Sequence, residues 1–145
     1  MDIIYTSVVN IKKDDYLVVS DRPCKVTEVT FSKTGKTGRS KAHFVAFDIF
    51  TDKRYEGIKS TNHIIQIPTV ERSTYYLSDI TDDSYLVLMD EHGKIREDLT
   101  LTDEKLKEKL GKVYDKIDEY DIIMVVLTSM GISQVVDILV KKIKN

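Results

Sequence analysis

The residues best placed to do chemistry lie in one stretch, FSKTGKTGRSKAHF, residues 31–44. It holds four cations, Lys33, Lys36, Arg39 and Lys41, two glycines, Gly35 and Gly38, and no acid. Lys36 stands between Gly35 and Thr37. Glycines let a backbone turn tightly and leave the neighbouring side chain without bulky company. A lysine so placed is open to another protein or to an enzyme, and its ammonium is a compact cation on a flexible stem. The triplet GKT also ends the phosphate loop of nucleotide hydrolases, which needs G-x-x-x-x-G-K-[ST] between a strand and a helix. Here Thr30 occupies the place of the first glycine, and the residues that follow, KAHFVAFDIF, read as a strand. The pattern lacks the helix N-terminus that would hold phosphates, so a nucleotide site is set aside.

A loop like this needs a rigid frame, and strand signals supply one. The runs at 16–20 (YLVVS), 25–31 (KVTEVTF) and 43–50 (HFVAFDIF) are short, rich in β-branched and aromatic residues, and separated by turn residues. In the third run both alternating sets are largely apolar, which implies cover on both faces. DRP (21–23) and TDK (51–53) read as turns, and RYEGI and HIIQI as further strands. About five strands in so short a span predict a small, strongly bent barrel. Pro68 interrupts strand pairing and marks a boundary. This predicts domains over 1–69 and 70–145.

A second strand series follows at 73–80, 84–90, 94–101 and 120–130, with hairpin turns at DDS (82–84) and DEHGK (90–94). Between the last two runs, residues 103–117 place Leu106, Leu110, Val113, Tyr114 and Ile117 on one face of a helix. Thr102 is the expected cap, and Asp103 and Glu104 suit the positive end of the dipole. Gly111 inside this helix costs about 1 kcal/mol relative to alanine. The tail from Ile132 reads as a strand paired back through Met130-Gly131, with a helix as the alternative. Three or four strands, a helix, then one or two strands is the order of an OB-fold barrel.

The composition narrows the function classes. The chain has 145 residues and one cysteine, Cys24, which cannot form an internal disulfide and suits a reducing compartment. No run of 18 apolar residues indicates a membrane span. The first fifteen residues lack the basic and apolar regions of a secretory signal. A cytoplasmic protein is expected. Residues 1–69 carry 11 Lys+Arg against 8 Asp+Glu, and residues 70–145 carry 11 against 16. The basic half, bearing the basic loop, predicts an anionic partner for one end of the chain. Cys24 reads as a buried packing thiol. His43, His63 and His92 have no ligand spacing, so no metal is expected. The acids at 115, 118, 119 and 121 read as a solvated surface. Tyr75, Tyr76 and Tyr85 are candidates for base stacking, though such aromatics more often pack a core. No nucleophile–base set stands out, so no enzymatic activity is expected.

The stretch SKTGKTGRSKAHFVAFDIFTDKRYEGI resembles the loop and following strands of eukaryotic translation initiation factor 5A, the hypusine-containing family related to an archaeal form and to bacterial elongation factor P. The family pattern is close to S-K-T-G-K-H-G-H-A-K. Ser32, Lys33, Thr34, Gly35, Lys36, Gly38 and Lys41 match it as they stand. RPCKVTEV (22–29), REDLTL (96–101) and VVLTSM (125–130) extend the resemblance over nearly the whole chain.

The resemblance implies a mainly β fold, an N-terminal SH3-like barrel joined to a C-terminal OB-fold barrel with one helix. It implies that Lys36 receives an aminobutyl group from spermidine by deoxyhypusine synthase and is then hydroxylated by deoxyhypusine hydroxylase. This covalent hypusine takes the place of any separate cofactor. It implies a factor that binds the ribosome and its RNA beside the peptidyl-tRNA, promotes peptide-bond formation at stalling sequences such as proline runs, and assists termination. The implied contact loop is Lys33, Thr34, Gly35, Lys36, Thr37, Gly38, Arg39 and Lys41. A membrane partner is not expected, and a homodimer is left open. Two positions depart from the pattern: Thr37 and Arg39 stand where members commonly carry histidines. They sustain a second reading, an unmodified paralogue that binds RNA or the ribosome by charge alone. Asp21 replaces the glycine often found before Arg-Pro-Cys, an expected turn change. The chain also starts almost at the first barrel, without the acidic extension of many eukaryotic members, as expected of a divergent or reduced lineage.

Overall fold

A computed structural model describes residues 4–33 and 40–143 of the chain. The chain separates into two compact units, Met1–Val70 and Glu71–Asn145. Pro68 lies in the short stretch between the last strand of the first and the first strand of the second.

Among the described residues, six strands build the first unit: β1 (Ile4–Ser7), β2 (Tyr16–Val19), β3 (Arg22–Lys33), β4 (Ser40–Asp48), β5 (Arg54–Ser60) and β6 (Ile64–Ile67). β2-β3-β4-β5 form one antiparallel sheet in chain order, and β1 pairs with β6. This is the SH3-like barrel. Its core gathers Val8, Ile11, Leu17, Cys24, Val26, Ala42, Phe44 and Ala46. β4 is covered as its double apolar pattern predicts: Ala42, Phe44, Ala46 and Asp48 are buried on one face, and Val45 is buried on the other. The turn expected at 21–23 lies one residue earlier. Ser20 and Asp21 take positive φ (51° and 62°) as a two-residue hairpin turn, while Arg22 and Pro23 already belong to β3. Asp21 thus occupies a left-handed position that aspartate tolerates better than most residues. Strand β1 is an addition to the strands expected from local pattern.

The second unit is a five-stranded antiparallel OB barrel. Its strands are β7 (Glu71–Ile80), β8 (Leu86–Met89), β9 (Ile95–Arg96), β10 (Tyr120–Ser129) and β11 (Ile132–Lys142), in the order β11-β10-β7-β8-β9. The tail is the strand preferred from sequence, and Met130-Gly131 is a two-residue turn with both φ positive. The strand expected over 94–101 is interrupted. Its partner β8 spans only four residues. Met89 and Leu88 pair with Ile95 and Arg96, and the chain returns only at Leu99 and Thr100. Glu97 and Asp98 are left outside the ladder, where the Asp98 carboxylate accepts from Arg96 at 2.6 Å.

Helix α1 runs from Glu104 to Val113, followed by a 3-10 turn at Tyr114–Lys116. The cap is Asp103 rather than Thr102: its carboxylate accepts from the Leu106 amide at 3.0 Å. Leu106, Leu110, Val113, Tyr114 and Ile117 all meet the core formed around Leu88, Met124 and Ile138. Lys109 donates to the Ile138 carbonyl of β11 at 2.6 Å.

Candidate functional site

The basic stretch falls on the β3–β4 hairpin. The register runs Val29↔Phe44, Thr30↔His43, Phe31↔Ala42, Ser32↔Lys41 and Lys33↔Ser40. Lys33 ends β3 and Lys41 is the second residue of β4, and both are exposed. Thr34, Gly35, Lys36, Thr37, Gly38 and Arg39 lie outside the described residues. The pairing of Lys33 with Ser40 makes this segment the link of a hairpin, and a strand follows it, as the sequence pattern requires. β5 continues the sheet on the other side of β4, with Ala42↔Lys59 and Lys41↔Ser60, and the Thr61 amide donates to the Ser40 carbonyl at 3.1 Å. β3, β4 and β5 thus form a three-stranded arm, with the β3–β4 hairpin at its outer end.

Three local devices hold this arm. At the far end of β4, Asp48 is almost fully buried and receives Nε of Arg22 at 2.6 Å and the amides of Phe50 and Thr51 at 2.8 and 3.1 Å. Burial by itself would raise the Asp48 carboxyl, but the hydrogen bonds from Arg22 and the two amides together outweigh it and hold it at about 2. In the middle, Phe44 lies across Gly57: a Cβ on Gly57 would meet Phe44 Cζ at 2.8 Å. On the opposite face, His43 Nε2 shares a 2.5 Å hydrogen bond with Glu56 Oε1, and Arg54 donates to Glu56 Oε2 at 3.0 Å. The His43 contact first, then Arg54, lowers the Glu56 carboxyl.

The charge of the arm is graded along its length. Glu28, Glu56 and Asp48 belong to the inner half. In the outer half, residues 30–33, 40–43 and 57–61, the charged side chains are Lys33, Lys41 and Lys59, with His43 beside them and no acid. Thr30, Phe31, Ser32 and Lys33 are all exposed. A projecting arm with unopposed cations is suited to polyphosphate rather than to acid–base chemistry.

The remaining sequence candidates are dispersed. Cys24 is fully buried, and burial pushes its thiol up to about 11, which makes it a packing thiol. Tyr75 packs against the core of the second unit and carries Arg96 over its ring at 5.8 Å, whereas Tyr76 and Tyr85 are exposed. Sequence reasoning missed the Arg22–Asp48 clamp, the Gly57–Phe44 contact and the place of Lys59. Their partners come together only through strand register.

A first sheet whose β3–β4 hairpin carries no acid in its outer half, followed by an OB barrel, is the build of a two-domain translation factor. Known proteins give that class its family. The model described as "Translation initiation factor 5A-like, N-terminal" matches residues 3–63, and "Eukaryotic elongation factor 5A hypusine, DNA-binding OB fold" matches residues 69–139. Eukaryotic translation initiation factor 5A-1 of Arabidopsis thaliana is 42% identical over 126 residues, 86% of this chain and 78% of that protein. Eukaryotic translation initiation factor 5A-2 of Solanum lycopersicum is 44% identical over 127 residues, with the same coverage of 86% and 78%. The solved structure of the translation initiation factor eif-5a family protein from Naegleria fowleri aligns with a TM-score of 0.84 at 38% identity, over 94% of this chain and 97% of that one. That of eukaryotic translation initiation factor 5A from Methanococcus jannaschii, at 19% identity and a TM-score of 0.72 over 94% and 95% of the two chains, shares the fold. The chain belongs to the translation initiation factor 5A family, a family of translation factors and not of enzymes.

Proposed function

We propose that this chain is a cytoplasmic factor that binds the ribosome beside the peptidyl-tRNA. It promotes peptide-bond formation at stalling sequences such as proline runs, assists termination, and acts through a hypusine on Lys36. The observation that carries this reading is the β3–β4 hairpin. Its outer half holds only cations among its charged side chains, and the chain of Lys36 links its two strands.

An unmodified lysine carries one charge at the end of its stem. Transfer of the aminobutyl group breaks a C–N bond of spermidine and forms one on the Lys36 amine, whose proton goes to the departing 1,3-diaminopropane; the product carries a second cationic nitrogen with several ångströms of reach. Such an arm can enter a narrow RNA pocket and meet phosphates or sugar hydroxyls near the tRNA end. Its work there is positional, holding the reacting ends together so that an entropically costly step proceeds faster. Lys33, Arg39 and Lys41 hold the loop against RNA phosphates. Deoxyhypusine synthase and deoxyhypusine hydroxylase are the partners that prepare Lys36. No helix among the described residues is long and apolar enough to cross a membrane.

The test is growth of cells that depend on this factor. Lys36→Ala and Lys36→Arg are both expected to fail, because arginine keeps the charge but cannot accept the aminobutyl group. Rescue by Lys36→Arg supports instead the second reading favoured by Thr37 and Arg39, an unmodified module that binds RNA by charge.

A further inference from the structure

Phe31 is out of place for a residue whose only task is to fold. It is 47% exposed, although it lies on the same face of the sheet as the core residues Phe44 and Ala46 and the half-buried Val29. In the row Val29–Phe44–Gly57, Phe44 is buried and Val29 is half-buried against the core. The next row outward is Phe31–Ala42–Lys59, and Lys33 lies two residues further along β3 on the same face. Ala42, between Phe31 and Lys59, is small and buried, so the row presents an aromatic ring at one side and a lysine at the other. Among the described residues, Tyr55 and Tyr75 have a cation over the ring, at 5.1 and 5.8 Å, and Phe31 has none.

We propose that Phe31, flanked by Lys33 and Lys59, is a stacking platform for one unpaired base of single-stranded RNA. The proposal rests on the RNA-facing reading of the arm given above. An aromatic face with cations on either side and no acid nearby is the arrangement that binds a splayed nucleotide, with the ring under the base and the ammonium groups on the adjoining phosphates. A protein partner of the same patch would have to bring acidic side chains to both lysines. RNA brings a phosphate with every base it stacks, so one ligand answers both features.

The chain contains no tryptophan, so Phe31→Trp places a single reporter at the platform. The probe is a 12-nucleotide single-stranded RNA of mixed sequence, titrated at low salt into the unmodified full chain. Emission of Phe31→Trp is expected to quench on binding, and less with duplex RNA of equal length. In the same titration followed by anisotropy of labelled RNA, Phe31→Leu is expected to weaken binding about tenfold without changing the salt slope. Lys33→Gln and Lys59→Gln are each expected to make the salt slope shallower by about 0.7. Equal thermal stability of Phe31→Leu and the parent chain assigns the loss to contact rather than to folding. Binding with unchanged tryptophan emission, equal affinity of Phe31→Leu, or no binding at low salt each overturns the platform. None of these bears on the modification of Lys36, and a plain Lys36 leaves the titration as it stands.

Discussion

Asp48 shows how much of this arm depends on single side chains. Its folded pKa of about 2 lies below its ordinary value of 3.8, so the stabilisation is complete above 3.8 and is lost as the pH falls toward 2. The difference corresponds to about 2 kcal/mol. Asp48→Asn is expected to lower stability at neutral pH by about 2 kcal/mol, since Arg22 loses its counter-ion while remaining partly in contact with solvent. Urea melts between pH 2 and 7 check this: the parent should weaken on the acid side, and the variant should approach it there. Gly57→Ala drives a methyl into the Phe44 ring and is expected to cost about 1–3 kcal/mol. Neither position announces itself in the sequence. Arg22 and Asp48 are 26 residues apart, and Gly57 reads as an ordinary strand glycine until register sets it beneath Phe44.

At the scale of elements, local pattern is a good guide wherever a segment buries one face by its own periodicity. The runs that form β2, β5, β6, β7 and β10, and the apolar stripe of α1, lie where alternation or the helical repeat puts them. The departures have physical causes that lie outside the segment. The run at 94–101 has strand composition, but residues 95–100 carry one residue more than the stretch 85–89 that they face, so the ladder breaks at Glu97 and Asp98. Helix α1 is capped one residue after Thr102 because the Asp103 carboxylate reaches the Leu106 amide. Asp103→Ala is therefore expected to lower stability by about 1 kcal/mol, and Thr102→Ala to leave it nearly unchanged. Gly111 is exposed on the helix, and a methyl group there would meet nothing within 4 Å. Gly111→Ala is expected to raise stability by about 1 kcal/mol, read from thermal or urea melts of the full chain.

For the molecule as a whole, charge separates the two units in composition: the first carries a net positive charge and the second a net negative one. In the arm of the first unit, Lys33, Lys41 and Lys59 stand in the outer half, while Asp48 and Glu56 are paired with Arg22, Arg54 and His43. Association with ribosomes is therefore expected to weaken steeply with salt, and Lys33→Gln or Lys41→Gln should flatten that dependence. Cosedimentation across a potassium chloride series measures it. The motif of the candidate site is legible in the sequence alone, because a lysine loop is written in consecutive residues. The arm that carries it is not, because Lys59, Gly57 and Asp48 reach it only through pairing. The most direct measurement is the mass of the proteolytic peptide containing Lys36, from protein purified out of its own cells, where modifying enzymes can act. An added aminobutyl group is expected, with the further hydroxyl reporting whether Thr37 and Arg39 permit the second step. An unmodified lysine in the native protein would overturn the assignment of hypusine to Lys36.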